Sequence, residues 1–191
     1  MSAKTGAIKL KRIKNLLLTG GRSSGKTTVI KKVIENLDVP ANGFYTEEEW
    51  EASARVGLLI ITLDGRKCRF AHRDINTAHN AGKFGVSIED IENVAVPSIA
   101  PVDTNVIILD GIGKMECFSM AFREAVIKAL DSSNIVVGTL FPGGDDFSMK
   151  IKGRKDVGIH VVTWNNRTLL PDFILGEISI LMQDMGKKFP Q

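Results

Sequence analysis

Two rhythms of apolar residues run along this 191-residue chain. Short unbroken runs, such as NLLLT over 15–19 and NVIIL over 105–109, read as strands buried on both faces, the pattern of a parallel sheet. Between them lie stretches with a helical period. The run over 14–19 gives way to GKTTVIKKVIENL at 25–37, where Val29, Val33 and Leu37 recur near one face, so strand, glycine-containing turn and amphipathic helix follow in order.

The same reading continues downstream. DVPANGFYTEE is a turn followed by a strand, and RVGLLIITLDGRKCRFA is two β-rich runs around Asp64 and Gly65, a local hairpin signal. Residues 72–104 are irregular apart from a short helix expected at SIEDIENV, with Ser87 as its N-terminal cap. TNVIILD is a buried strand ending on Asp110; MECFSMAFREAVIKALDSS is a helix of about four turns; NIVVGTL is a core strand. After the irregular FPGGDDF, VGIHVVT alternates as a further strand. LPDFILGEISILMQDMG is a closing helix whose interior Gly176 weakens. The expected architecture is a three-layer α/β fold, a largely parallel twisted sheet covered by helices with a β-hairpin inserted after the second strand. The expected organisation is a basic leader at 1–13, one domain over 14–185 and a tail at 186–191, since no repeat or linker interrupts the chain.

Composition narrows the classes. A hydrophobic content of 43% and charged content of 25% suit an ordinary globular protein, and no apolar run is long enough to cross a bilayer. Cys68 and Cys117 have neither metal-ligand nor redox spacing, and no signal-peptide core is visible, so a cytoplasmic location is expected. The net charge of +3 and the run KLKRIK attract polyanions without distinguishing nucleic acid from nucleoside triphosphates. With 6% aromatic residues and no stacking motif, nucleic acid is the less favoured partner.

GGRSSGKT, Gly20 to Thr27, has the complete spacing of a phosphate-binding P-loop, and it sits between a hydrophobic strand and an amphipathic helix, the context its mechanism requires. Gly20, Gly21 and Gly25 let backbone N–H groups close around anionic oxygens at the helix terminus. Lys26 neutralises the β/γ-phosphates and Thr27 offers a hydroxyl to Mg²⁺. Arg22, Ser23, Ser24 and Thr28 complete the candidate nucleotide contacts. Asp110, at the end of its strand, is the second Mg²⁺-organising group.

Hydrolysis also needs water positioned and activated, and Gly111, next to Asp110, brings no side chain. Glu116 and Glu47 are the candidate replacements, with Glu48 and Glu49 beside the latter, and Lys114 is a further candidate phosphate contact.

Taken with TGGRSSGKTT, the segments GFYTEE, RVGLLIITLDG, GKFGVSIEDIE, VIILDGIGKMECFS, VVGTL and VVTWNNRTLLPDFI resemble the small P-loop nucleoside triphosphatase family first associated with thermophiles, which also includes the human cancer-related nucleoside triphosphatase. The likeness spans roughly residues 14–181. It implies a RecA-like α/β domain that hydrolyses nucleoside triphosphates such as ATP and GTP to diphosphates and phosphate, with Mg²⁺ and broad base tolerance. Members of that family commonly carry DEIGKME where this chain has DGIGKME. Three outcomes remain open: weakened hydrolysis, hydrolysis through Glu116 or Glu47, or a catalytically quiet nucleotide-binding switch. A nucleotide or nucleoside kinase is the enzymatic alternative, because the same clamp serves phosphoryl transfer to an acceptor.

Asn166 and Arg167 match a polar segment of the resembled family and are candidate base or ribose contacts; Trp50 and Trp164 are candidate stacking partners. Arg154 is a candidate phosphate contact from a closing loop, whereas Asp145 and Asp146 read as turn residues. His72, His79 and His160 lack metal-binding spacing.

Overall fold

The computed structural model describes residues 13–103 and 105–186. The expected leader therefore lies outside the described residues except for Ile13, and the expected tail except for Gly186.

The chain order is β1 (Asn15–Thr19), α1 (Lys26–Glu35), β2 (Ala41–Glu51), β3 (Ala54–Thr62), β4 (Lys67–His72), β5 (Asn80–Ala81) and β6 (Phe84–Val86). A helical segment follows, made of α2 (Ile88–Asp90), a π-helical turn (Ile91–Ala95) and α3 (Val96–Ser98). Next come β7 (Val106–Ile112), a 3₁₀ turn (Glu116–Phe118), α4 (Met120–Asp131), β8 (Ile135–Leu140), α5 (Asp146–Lys152), β9 (Val157–Val161) and α6 (Leu170–Asp184).

The nine strands among the described residues form one sheet in the order β5-β6-β4-β3-β2-β7-β8-β1-β9. From β2 to β9 the pairings are parallel, and from β2 outward through β3, β4, β6 and β5 they are antiparallel. The inserted β3–β4 hairpin therefore extends the main sheet, and β5 and β6 lengthen it further. Those two strands, of two and three residues, are too short to show a period in the sequence.

The unbroken apolar runs are explained by burial on two sides. In β1, Leu16 and Leu18 face Val29, Ile30 and Val33 of α1 and Ile174 and Ile178 of α6, while Leu17 points to the opposite layer with Phe122 and Val126 of α4. Strand β7 divides in the same way, Val106 and Ile108 to one layer and Ile107 and Leu109 to the other. Each such side chain, fully withdrawn from water, contributes roughly 1.5–3 kcal/mol.

Two helices depart from the sequence expectation. Ser119 accepts a hydrogen bond from the Phe122 N–H at 3.0 Å and so starts α4 at Met120; Glu116–Phe118 are left as a separate 3₁₀ turn. Helix α5 was not expected within and after FPGGDDF: Asp145 caps it, accepting from the Ser148 N–H at 3.0 Å. Its seven residues are too few for a clear hydrophobic period. Ser87 caps α2 as its position predicts, accepting from the Asp90 N–H at 3.2 Å. Gly176 does not break α6, because its missing side chain faces open space and removes no packing.

Candidate phosphate site and its two clefts

The loop from Gly20 to Gly25 joins the C-terminal end of β1 to α1, on the same sheet edge as the end of β7. Gly20 adopts φ +150°, and a Cβ there would lie 2.6 Å from the Val162 carbonyl oxygen. Gly25, at φ +99°, occupies the N-cap of α1 without supplying a side-chain acceptor, so the first-turn N–H groups keep their capacity to bind an anion. At Gly21 a Cβ meets no protein atom within 4 Å. Ser24 is buried, with its hydroxyl unpartnered. Arg22, Ser23 and Thr28 are exposed around the loop.

Lys26 reaches back across the loop, donating to the Gly21 carbonyl at 2.8 Å and to the Gly20 carbonyl at 3.1 Å. Burial holds its ammonium below its usual range, opposed by the negative charge of Asp110. Asp110 is 2% exposed. Its Oδ1 accepts from the Thr139 hydroxyl at 2.6 Å, while its Oδ2 is buried without a hydrogen-bond partner. Burial raises the Asp110 carboxyl, against the opposing influence of Thr139, Thr27 and Lys26. An orphaned carboxylate oxygen beside a threonine hydroxyl suits a hard, oxygen-seeking cation. Among the described residues no group of three or more His, Cys, Asp or Glu side chains is placed to hold a metal alone. A cation here would need substrate phosphate oxygens to complete its shell, the usual situation of Mg²⁺.

Two clefts meet at Lys26. The first, of about 610 Å³, is lined by Ser23, Gly25, Thr27, Glu47, Trp50 and Arg167 among others. Arg167 lies with its guanidinium 3.8 Å from the Trp164 ring centroid, a cation–π stack that leaves it beside the phosphate loop and Thr28. The second cleft, of about 530 Å³, lies on the β7 side and includes Gly111, Lys114 and Glu116.

The two candidate bases are separated by this arrangement. Glu47 lines the first cleft but is held in an ion pair with Lys31. Glu116 lines the second, is 8% exposed, and burial pushes its carboxyl up to about 7, helped by the charge of Asp110 and opposed by the backbone N–H groups of Gly113 and Glu116 itself. The 3₁₀ turn makes this placement. Gly113 is part of it, since a Cβ there would come 2.5 Å from Glu116 Oε2. Glu48 and Glu49 are engaged by Arg55 and Arg69.

Several candidates find other work. The Asn166 amide donates to the Val161 carbonyl at 2.8 Å, and its oxygen accepts from the Thr163 N–H at 2.8 Å; both ends hold the turn before α6. Arg154 pairs with Asp131 and Asp156 at 2.7 Å each, near the start of β1 and so at the opposite end of the strand from the phosphate loop. Sequence spacing cannot show such pairings. Thr139 was missed for the same reason, because nothing near it in the chain marks it as the partner of Asp110.

A family model described as NTPase matches residues 15–175. The chain is 42% identical over 175 residues to "Nucleoside-triphosphatase THEP1" of Thermotoga maritima, covering 91% of this chain and 98% of that protein. It is 33% identical to the human "Cancer-related nucleoside-triphosphatase", covering 84% and 95%. The crystal structure of THEP1 from the hyperthermophile Aquifex aeolicus superposes with a TM-score of 0.78 at 32% identity, covering 86% of this chain and 98% of that one. With the phosphate loop, the strand-end aspartate and the mixed sheet flanked by helices all in place, the chain belongs to the THEP1-like family of small P-loop NTPases.

Proposed function

We propose that this protein hydrolyses nucleoside 5'-triphosphates to diphosphates and phosphate, with Mg²⁺, broad base tolerance and slowed turnover. The observation that carries the reading is Asp110 Oδ2, buried and unpartnered beside Thr27 and Lys26 at the mouth of the phosphate loop. The loop N–H groups and Lys26 hold the β/γ-phosphates; Thr27 and Asp110 supply the protein oxygens for the cation. Mg²⁺, when bound, adds positive charge against the phosphate oxygens. Glu116 orders and deprotonates the attacking water from the second cleft, a task left to it because Gly111 has no side chain and Glu47 is paired with Lys31. Base tolerance is expected because the base-side cleft offers stacking and cationic groups around Arg167 and Trp50.

The test is a time course of phosphate and nucleotide products from ATP, GTP, CTP and UTP, with and without Mg²⁺. Comparable magnesium-dependent phosphate release from all four is expected. Absence of release from every nucleotide would refute hydrolysis, and exclusive use of one base would refute the tolerance.

A further inference from the structure

The cleft on the β7 side is far larger than water activation requires. A water molecule needs roughly 30 Å³, whereas small-molecule pockets run to about 300–1,000 Å³; this one encloses about 530 Å³. It opens directly onto the phosphate loop, since Gly20, Arg22 and Lys26 form one wall. Leu58, Met115, Leu140 and Phe141 give it apolar walls, and the exposed cation Lys114 stands at its edge. Gly111 lines the cleft between Lys26 and Glu116 without adding a side chain to it. Glu116 lies within reach of whatever occupies the cleft and is 8% exposed.

We propose that this cleft binds a second substrate, a small alcohol bearing a carboxylate or phosphate group, and that the chain transfers the γ-phosphoryl group to its hydroxyl. Apolar walls take the carbon body, and Lys114 takes the anionic end. The acceptor hydroxyl oxygen forms a bond to the γ-phosphorus as the bond from that phosphorus to the β,γ-bridging oxygen breaks. The acceptor proton passes to the Glu116 carboxylate, and the electron pair of the broken bond leaves with the nucleoside diphosphate. A carboxyl raised to about 7 by burial is matched to proton exchange near neutral pH. Hydrolysis is then the slower reaction of water in the unfilled cleft. The inference rests on the nucleotide reading above.

The experiment uses Mg-ATP labelled at the γ-phosphate with 4-hydroxybutyrate and 6-hydroxyhexanoate, each at 50 mM. Label is resolved between inorganic phosphate and phosphate ester, alongside calorimetric Mg-ATP binding. The expected result is ester formation at least tenfold faster than phosphate release from the nucleotide alone, with Lys114→Ala raising the acceptor KM about tenfold while changing kcat less. Thermal unfolding of that variant checks its fold. Nucleotide binding and phosphate release without ester from either acid would overturn this inference alone. No nucleotide binding would overturn it together with the reading beneath it.

Discussion

The Thr139 hydroxyl donates to Asp110 Oδ1 at 2.6 Å, and the same hydroxyl lies 2.5 Å from the point where a Cβ at residue 111 would stand. Glycine at 111 and the hydrogen bond that orients Asp110 are therefore coupled. A side chain at 111 must push the hydroxyl aside, and a β-branched residue on a buried strand has few other rotamers to offer.

That coupling makes Gly111→Ala and Thr139→Ala non-additive. Each variant alone is expected to slow Mg-ATP hydrolysis about tenfold by releasing Asp110, and the double variant should be no slower than the worse single one, a coupling of about 1.4 kcal/mol. Steady-state rates of the four proteins test it. Strictly multiplicative losses would show that the two positions act separately.

Gly111→Glu adds a carboxylate next to Asp110 but also displaces Thr139. A positioned base is typically worth about 10²–10⁴ in rate, but with Glu116 already in that role and Thr139 displaced, a gain in kcat of no more than about tenfold is expected, with little change in nucleotide affinity; a gain of the full size would take the base role from Glu116. Turnover at saturating substrate, measured beside direct binding, checks this. Rapid parent turnover with no gain in the variant would mean that Gly111 marks no catalytic deficit.

Lys26→Ala removes the cation that now bridges the Gly20 and Gly21 carbonyls. Losing its charge-assisted bonds to phosphate is expected to weaken Mg-ATP and Mg-GTP binding by about 10–100-fold. Gly111→Ala should weaken binding less. Isothermal titration gives the order, and parent-like binding by a folded Lys26→Ala protein would remove the clamp from the mechanism.

Glu116 supplies a pH signature. Its carboxyl titrates near 7 in the folded chain, above the ordinary 4.5, so hydrolysis that needs the carboxylate should rise with pH through about 7. Glu116→Gln should lower the rate by about 10²–10⁴ and flatten that rise. Stability moves the other way. Between the two values the folded state holds a proton that the unfolded state releases, so burial of the charge costs stability as pH increases. At pH 8 Glu116→Gln should therefore be more stable than the parent, by on the order of 2–3 kcal/mol, and the advantage should shrink toward pH 5. Thermal unfolding of the nucleotide-free proteins at both pH values decides it.

What the residues determine by themselves is what depends on neighbours along the chain. Leu16–Leu18 and Ile107–Leu109 are apolar without interruption, and only strands covered on both faces bury such runs. Gly20 to Thr27 needs no partner from elsewhere to form a phosphate loop, because its donors are its own backbone and the first turn of α1. The tertiary structure decided everything that rests on meetings between distant segments. It paired Glu47 with Lys31 and placed Glu116 in a buried 3₁₀ turn. It bound the Asn166 amide to the backbone around it, moved Arg154 to the far end of β1, and set Thr139 of β8 against Asp110 of β7. A side chain's partners are fixed by which strands lie side by side, and β1, β7 and β8 are brought together across more than a hundred residues by burial of their common apolar faces rather than by any local signal.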